Sequence, residues 1–238
     1  MIEIWNDDCE KKIKEISSES VDLIITDPPY NLGKFMSNRD TNLSKMRENF
    51  FGVAGWDDLD YDSWKLHMED FFKESARILK KGGSMVVFMS ILKIETLVGL
   101  AEQYGFYYKT TGIWHKTNPM PRNMNLHFVN SNECWIYLIK GKRTGIFNNN
   151  NKLKLDFIET SVTPISEKKH GKHPTQKPIK LFGYFIDLLT NEGDFIVDPF
   201  MGSGSSAVAA KLYRRNFIGI ELNSDYYEIA RKRIEDVK

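Results

Sequence analysis

The residues DPFMGSGSS at 198–206 lie between an apolar run, DFIVD at 194–198, and a small-residue helical stretch, SSAVAAKLY at 205–213, and only 34 of the 238 residues follow Gly204. A glycine turn between strand and helix lets the backbone approach a ligand and aims helix N-terminal amides at it. An ordinary dinucleotide-binding domain begins with such a turn and builds its sheet afterwards. Here the remaining chain suffices for helix, strand and helix and no more. The rest of the sheet must come from the N-terminal part, so the order of elements is rotated relative to a standard nucleotide-binding fold.

The N-terminal part supplies suitable elements. IEIW (2–5) reads as a short strand, CEKKIKEIS (9–17) as a short helix and VDLIIT (21–26) as a buried strand. An amphipathic helix is expected over 61–83, ended by Lys80, Lys81 and Gly82, then a strand over 84–90 and a helix over 91–105. Further strands are expected at 106–116 and 133–141. A helix follows at 179–190, with Ile179, Phe182, Phe185, Ile186 and Leu189 on one face. The tail reads as strand 217–221 and helix 224–236, the latter capped by Ser224. Such alternation specifies an α/β fold with a largely parallel sheet covered on both faces. Residues 31–60 show no clear periodicity, and 142–172 are basic, Asn-rich and weakly patterned. A chain of this length buries one sizeable core, so one domain with insertions is expected.

In the rotated order IEIW lies beyond the strand that ends at Glu221, which brings Asp8 to its carboxyl end. VDLIIT lies on the other side of the glycine turn and brings Asp27 across the switch point from Gly202, because ligands bind outside the carboxyl ends of strands. One pocket is then lined by Asp8, Asp27, the 202–204 turn and Glu221. The turn is not a phosphate-cradling P-loop, since no Lys-Ser/Thr pair follows its second glycine. It fits a loose G-x-G-x-x-A with Gly202, Gly204 and Ala207. That pattern alone is equally well explained by a tight structural turn.

Composition removes several function classes. The start, MIEIWNDDCEKK, has neither a basic nor an apolar leader region, and the longest apolar stretch, SMVVFMSIL, is too short to span a bilayer. A cytoplasmic protein without a membrane partner is expected. Cys9 and Cys134 give neither a disulfide framework nor metal-ligand spacing and read as buried thiols. The formal net charge of +1 hides an asymmetry: residues 109–180 carry 13 Lys and Arg against 4 Asp and Glu, a balance of +9, leaving −8 elsewhere. Such a segment marks a polyanion-binding face or merely a solvated one. For nucleic acid, Lys116, Lys142, Arg143 and above all Arg122, in the proline-fixed loop TNPMPRNMN, are the candidate contacts. Trp114, Trp135 and Phe128 read as core rather than base-stacking residues.

Three motifs in order, DPPY at 27–30, HPTQKP at 173–178 and DPFMGSGSS, resemble the permuted β group of bacterial DNA amino-methyltransferases. The resemblance covers essentially the whole chain. It implies a Rossmann-like methyltransferase sheet, mostly parallel with a reversed edge strand and circularly permuted motif order, in one catalytic domain spanning 1–238. It implies S-adenosylmethionine as cofactor, held by the DPFMGSG segment (Asp198, Phe200, Gly202, Ser203, Gly204, Ser205) and by His173, Thr175, Gln176 and Lys177. Glu221 matches the family's ribose-binding acid, and Asp8, with Cys9 beside it, the acid that contacts the adenine of the cofactor. Residues 142–171 stand where many members carry a longer target-recognition region. Double-stranded DNA is the implied partner, with a homodimer and a cognate restriction endonuclease as further candidates.

The chemistry explains why a strand would end in DPPY. An exocyclic amine on adenine or cytosine is a poor nucleophile, because its lone pair is delocalised into the ring. Hydrogen bonds accepted from the amine by the Asp27 carboxylate and the Pro28 carbonyl favour a tetrahedral nitrogen. Pro28 and Pro29 fix φ and remove N–H donors, so the turn presents acceptors in a stiff geometry. Tyr30 offers a ring face to a base taken out of the duplex, and Asp27 is also placed next to the cofactor. Asp rather than Ser before the prolines leans toward adenine N6 within the resembling family, with cytosine N4 as the alternative. A nicotinamide-dependent oxidoreductase using 202–221 is a reading of another class, and it leaves DPPY and the basic stretch unexplained. A DNA-binding module without catalysis is a third, disfavoured by the intact DPPY.

Overall fold

The computed structural model describes residues 1–31, 59–121, 125 and 128–237. The strands are β1 (Ile2–Asn6), β2 (Val21–Thr26), β3 (Leu79–Met89), β4 (Phe106–Lys116), β5 (Asn132–Lys140), β6 (Phe157–Thr160), β7 (Phe195–Asp198) and β8 (Asn216–Glu221). They form one sheet in the order β1-β8-β7-β2-β3-β5-β4-β6. The helices are α1 (Cys9–Lys12), α2 (Tyr61–Ile78), α3 (Ile94–Gln103), α4 (Ile179–Leu189), α5 (Ser205–Leu212) and α6 (Ser224–Glu235). Among the described residues no helix is long and apolar enough to cross a membrane.

The rotated order holds. β1 pairs with β8, Asn6 opposite Glu221, and β7 lies between β8 and β2, all parallel. β5 is antiparallel to both β3 and β4. This reversed strand is not outermost, because β4 and then β6 lie beyond it, β6 pairing parallel to β4. Its direction has a consequence for the site: the first residues of β5, not its last, reach the rim where the parallel strands end.

Alternation along the central strands divides the core into two layers. Met85, Val87, Met89, Ile136 and Leu138 pack with α2 and α3, among Trp64, Met68, Phe72 and Leu97. Val86, Phe88, Trp135, Tyr137 and Ile139 face the other way, toward Phe182, Phe185 and Ile186 of α4 and Ala207 and Ala209 of α5. Helix α4 is buried on more of its circumference than one face, with Leu181, Gly183 and Leu188 inside as well.

Several boundaries differ from the sequence reading. Helix α2 ends at Ile78, not at Gly82: Leu79 is fully buried opposite Val21, and Ser20 donates from its amide to the Ile78 carbonyl, so sheet pairing claims the chain a turn early. Helix α6 is capped by Asn223, whose side chain accepts from the amides of Asp225 and Tyr226, and not by Ser224. Strand β6 lies within the stretch that showed no pattern, because four residues at the sheet edge are too few for a visible period. Trp114 and Trp135 are core as expected, whereas Phe128 is 98% exposed. Cys134 is buried and Cys9 half-buried.

Candidate active site

β7 continues through α5 to β8 on one side, and β2 through α2 to β3 on the other, so the strand order reverses between them. The turns leaving β2 and β7 therefore border one crevice, where open α/β sheets bind ligands. Asp198 closes β7 and is buried. Its Oδ1 accepts from Thr26 Oγ1 at 2.7 Å and the Phe200 amide at 3.1 Å, and its Oδ2 from Ser206 Oγ at 2.5 Å. Burial pushes its carboxyl up to about 6, against the pull of the Ser206 and Thr26 hydroxyls. Asp198, expected beside the cofactor, thus ties β2 to the glycine turn.

Ser203 and Ser205, also expected beside the cofactor, both meet α6. The buried Arg233 guanidinium donates to the Ser203 carbonyl at 2.5 Å and to the hydroxyls of Ser203 and Ser205 at 3.2 and 3.1 Å. Glu167 stands 3.6 Å from Arg233 and accepts the Ile179 amide at 3.0 Å, so one arginine links the glycine turn to the start of α4. Sequence reading missed Arg233, because a basic residue in the last turn of a charged helix looks solvated.

The two turn glycines differ in what they need. Both have positive φ, +56° at Gly202 and +78° at Gly204. A Cβ at Gly204 would stand 2.7 Å from that of Ala230, so close helix packing demands glycine there. At Gly202 a Cβ would meet His173 Nε2 at 3.3 Å, at the mouth of the crevice. The Gly202 amide donates to Glu221 Oε2 at 2.8 Å, and the Asn223 amide to Oε1 at 2.8 Å. Burial raises the Glu221 carboxyl. Asp8 caps α1, and the bond from the Asp7 amide to the Glu221 carbonyl at 3.1 Å brings it beside that acid, as the rotated order requires. Cys9 opens α1 and lines a cavity with Glu10, Phe71 and Pro199. Burial, then Asp8 and Glu10, raise its thiol, so it stays neutral. Phe200 packs edge-on against Phe71 at 5.7 Å between ring centres.

HPTQKP splits between two places. His173 meets Tyr226 edge-on at 4.3 Å, and burial, with Lys177 and Arg233 adding to it, lowers its imidazole to about 4, so it is neutral at pH 7. Thr175 is exposed, 3.5 Å from His173 Nδ1. Gln176 donates from Nε2 to the Glu167 carbonyl at 3.1 Å, while its buried Oε1 has no partner among the described residues. Lys177 leaves this group altogether.

The Lys177 side chain, 3% exposed, makes a short ion pair with Asp27 Oδ2 and a second at 3.2 Å with Glu133 Oε2. Tyr30 Oη donates to Asp27 Oδ1 at 2.8 Å and lies 3.2 Å from Glu133 Oε2. Lys116 Nζ pairs with Glu133 Oε1 at 2.6 Å. Two carboxylates and two ammonium groups thus form a charge-balanced cluster, assembled because the reversed β5 starts at this rim. Burial raises the Asp27 carboxyl above its ordinary value, and Lys177 offsets only part of that rise. For Glu133, burial is outweighed by Lys177 and Lys116, which hold it near 2. The charge of Lys177 is kept despite burial by Asp27 and Glu133. Glu133 escaped sequence reading as a lone acid ahead of an apolar run.

The expected DNA contacts fare unevenly. Lys116 is engaged with Glu133 and does not stand free on the surface. Lys142 and Arg143 follow the far end of β5, beside Gly82 and Lys109. The nine residues of β5 lie between them and the Asp27 rim, eight steps or about 27 Å at some 3.4 Å each. They belong to the opposite rim. Arg122 lies outside the described residues.

Known proteins agree with this geometry. The chain is 34% identical over 253 residues to the Type II methyltransferase M.HinfI of Haemophilus influenzae, covering 99% of this chain and 68% of the relative. It is 34% identical over 238 residues to the Type II methyltransferase M2.DpnII of Streptococcus pneumoniae, covering 96% and 87%. The crystal structure of an M1.HpyAVI–SAM complex superposes with a TM-score of 0.72 at 29% identity, covering 98% of this chain and all of that one. The cytosine-N4-specific PvuII DNA methyltransferase, 19% identical, shares the fold with a TM-score of 0.77 over 97% of this chain and 85% of its own. The family model described as DNA methylase matches residues 21–232, and the chain belongs to that family.

Proposed function

We propose that the protein transfers a methyl group from S-adenosylmethionine to adenine N6 in a short site of duplex DNA. The observation that carries this reading is the meeting of DPPY and the glycine turn across one switch point, bound by Asp198 on Thr26. Asp8, Glu221, a neutral His173 and the unpartnered Gln176 Oε1 make a cofactor side rich in acceptors, suited to ribose hydroxyls and an ammonium group. The M1.HpyAVI structure is a complex with SAM, which supports the same cofactor here. That cofactor supplies an electrophilic methyl carried on a sulfonium.

This chain's residues do the remaining work. Glu221 and Asp8 orient the ligand on the β1–β8 side, and Gly202 leaves it room. On the other side Asp27 and the Pro28 carbonyl receive the target amine, and the Tyr30 ring supports an extruded base. Acceptors fixed on a stiff turn hold the nitrogen near its attack geometry, which is where much of the rate of a bimolecular transfer originates. Within the basic segment 142–171, the part after β6 returns to the Asp27 rim, where the Thr117 amide meets the Thr160 carbonyl. That part is our candidate for target recognition.

The fold does not choose between the two amines, since the cytosine-N4-specific neighbour shares it. Adenine rests on Asp27 standing before the prolines. The Type II names of the relatives suggest a companion restriction endonuclease, and a DNA substrate is in keeping with a cytoplasmic enzyme. The test is to incubate the protein with duplex DNA and S-adenosylmethionine, digest to nucleosides and identify the product. N6-methyladenine is expected. N4-methylcytosine alone overturns the target, and no methylated base overturns the function.

A further inference from the structure

Both groups that occupy Asp27 have a second acceptor within reach. Tyr30 Oη donates to Asp27 Oδ1 at 2.8 Å and stands 3.2 Å from Glu133 Oε2, and Lys177 pairs with Asp27 Oδ2 and stands 3.2 Å from the same Glu133 oxygen. The phenol has one proton and can serve one carboxylate at a time. As the structure stands, each oxygen of Asp27 already takes a buried donor, so a target amine has to compete with Tyr30 and Lys177 for this carboxylate. Leaving those donors stranded in a buried site would cost far more than the bond to the amine returns. We propose that Glu133 is a positioning residue for methyl transfer, the acceptor to which Tyr30 Oη and Lys177 Nζ move over when the target amine takes their places on Asp27.

Three features suit Glu133 to this part, which rests on the function proposed above. It sits at the start of the reversed strand, on the rim where β2 ends. Lys116 anchors its other oxygen at 2.6 Å, so the carboxylate stays aimed while Oε2 receives the incoming donors. The exchange keeps the cation in place, because Lys177 lies between the two carboxylates throughout.

The experiment is a double-mutant cycle of Glu133→Gln with Tyr30→Phe, read by single-turnover methylation of duplex DNA and by S-adenosylmethionine binding. A neutral amide is the poorer acceptor, so Lys177 and Tyr30 stay on Asp27, and transfer slows by about ten- to a hundredfold, the range for a lost hydrogen bond to a charged group. Cofactor affinity is expected to hold within about twofold, well under the tenfold that 1.4 kcal/mol represents. Removing the Tyr30 hydroxyl removes one competitor, so it restores part of the rate in the Glu133→Gln background, and the two costs are non-additive.

A pH profile adds a readout that a merely structural role would not move. The groups facing Asp27 are Tyr30, Lys177 and Glu133, with Lys116 behind Glu133, Asp198 on β7 and His173 beside Lys177. Without the Glu133 charge, Lys177 pairs with Asp27 alone, and the acid limb of the rate moves to lower pH. Wild-type rates in Glu133→Gln, or additive costs in the cycle, overturn the proposal while leaving the methyltransferase reading intact. A wild-type protein that methylates nothing overturns both. If Glu133→Gln does not fold, as loss of cofactor binding would reveal, the cycle is run with Glu133→Asp, which keeps the charge for Lys116 but shortens the reach, and the same non-additivity is required.

Discussion

Asp27 and Lys177 stand 150 positions apart and share an ion pair in which the lysine is almost wholly buried. Through Lys177, one residue of HPTQKP belongs to the DPPY cluster, while His173 stays with Tyr226. Removing one partner of such a pair leaves the other charge buried and uncompensated, which is strongly destabilising. Lys177→Met is expected to lower the unfolding midpoint by several degrees and to abolish methyl transfer, while Lys177→Arg retains stability but loses rate, since a planar fork cannot reproduce the same contact. Thermal melts beside a methylation assay check this. Full activity in Lys177→Met would detach the pair from the reaction.

Asp27→Asn separates chemistry from binding. The carboxylate is proposed to act on the target amine and the cofactor is proposed to lie on the β7–β8 side, so transfer is expected to vanish while S-adenosylmethionine affinity changes by less than about tenfold, or 1.4 kcal/mol. Calorimetric titration with the cofactor and a methylation assay give the two numbers. A large loss of affinity with residual turnover would reverse the assignment.

Much of this arrangement was legible in the sequence, and the reasons are local. The rotated order is expected from the late position of the glycine turn, and the pairing of Asn6 with Glu221 agrees with it. DPPY alone reads equally as a strand-end turn, and it became legible beside HPTQKP and DPFMGSGSS in that order. The residues that could not be read are those whose role depends on a neighbour distant in sequence. Lys116 looks like a surface cation until Glu133 is beside it, and Arg233 looks solvated until Ser203 covers it. Asp198 carries the motif's carboxylate, yet its oxygens are filled by Thr26 and Ser206, which no spacing rule reveals. Phe128, hydrophobic and expected in the core, is 98% exposed.

Arg233→Ala tests the support of the glycine turn from behind. Its guanidinium holds the Ser203 carbonyl and both serine hydroxyls without touching the crevice. Losing hydrogen bonds from a buried cation costs about 1.5–3 kcal/mol, so a weaker turn and a rise in the dissociation constant for S-adenosylmethionine of about tenfold or more are expected, with maximal rate less affected. Unchanged affinity in a folded Arg233→Ala protein would show that the turn is held by its own packing.

The glycines give opposite signatures. Gly204→Ala would set a Cβ 2.7 Å from that of Ala230 in a left-handed conformation, so it is expected to destabilise the fold by about 1–3 kcal/mol through overpacking and strain. Gly202→Val would place its bulk beside His173, where the ligand is proposed to lie, and is expected to weaken cofactor binding before it weakens the fold. Urea titrations and cofactor titrations of the two variants distinguish these effects. A stable Gly204→Ala protein would contradict the packing argument.

Two buried carboxyls shifted in opposite directions predict how stability follows pH. Glu133 is held near 2, below the ordinary 4.5 of a glutamate, so its contribution is present above 4.5 and is lost as pH falls from there toward 2. Asp198 is raised to about 6 from an ordinary 3.8, so the folded state carries its proton longer than the unfolded chain does. Its ionisation therefore costs stability as pH rises from about 3.8 through 6. Asp198→Asn removes that titration. The stability difference between variant and wild type is expected to move in the variant's favour across pH 4 to 6 and to be flat above, whatever its absolute value after one acceptor has been replaced. Urea unfolding at half-unit intervals measures it, and a difference independent of pH through this window would mean that Asp198 is already ionised at its acid end.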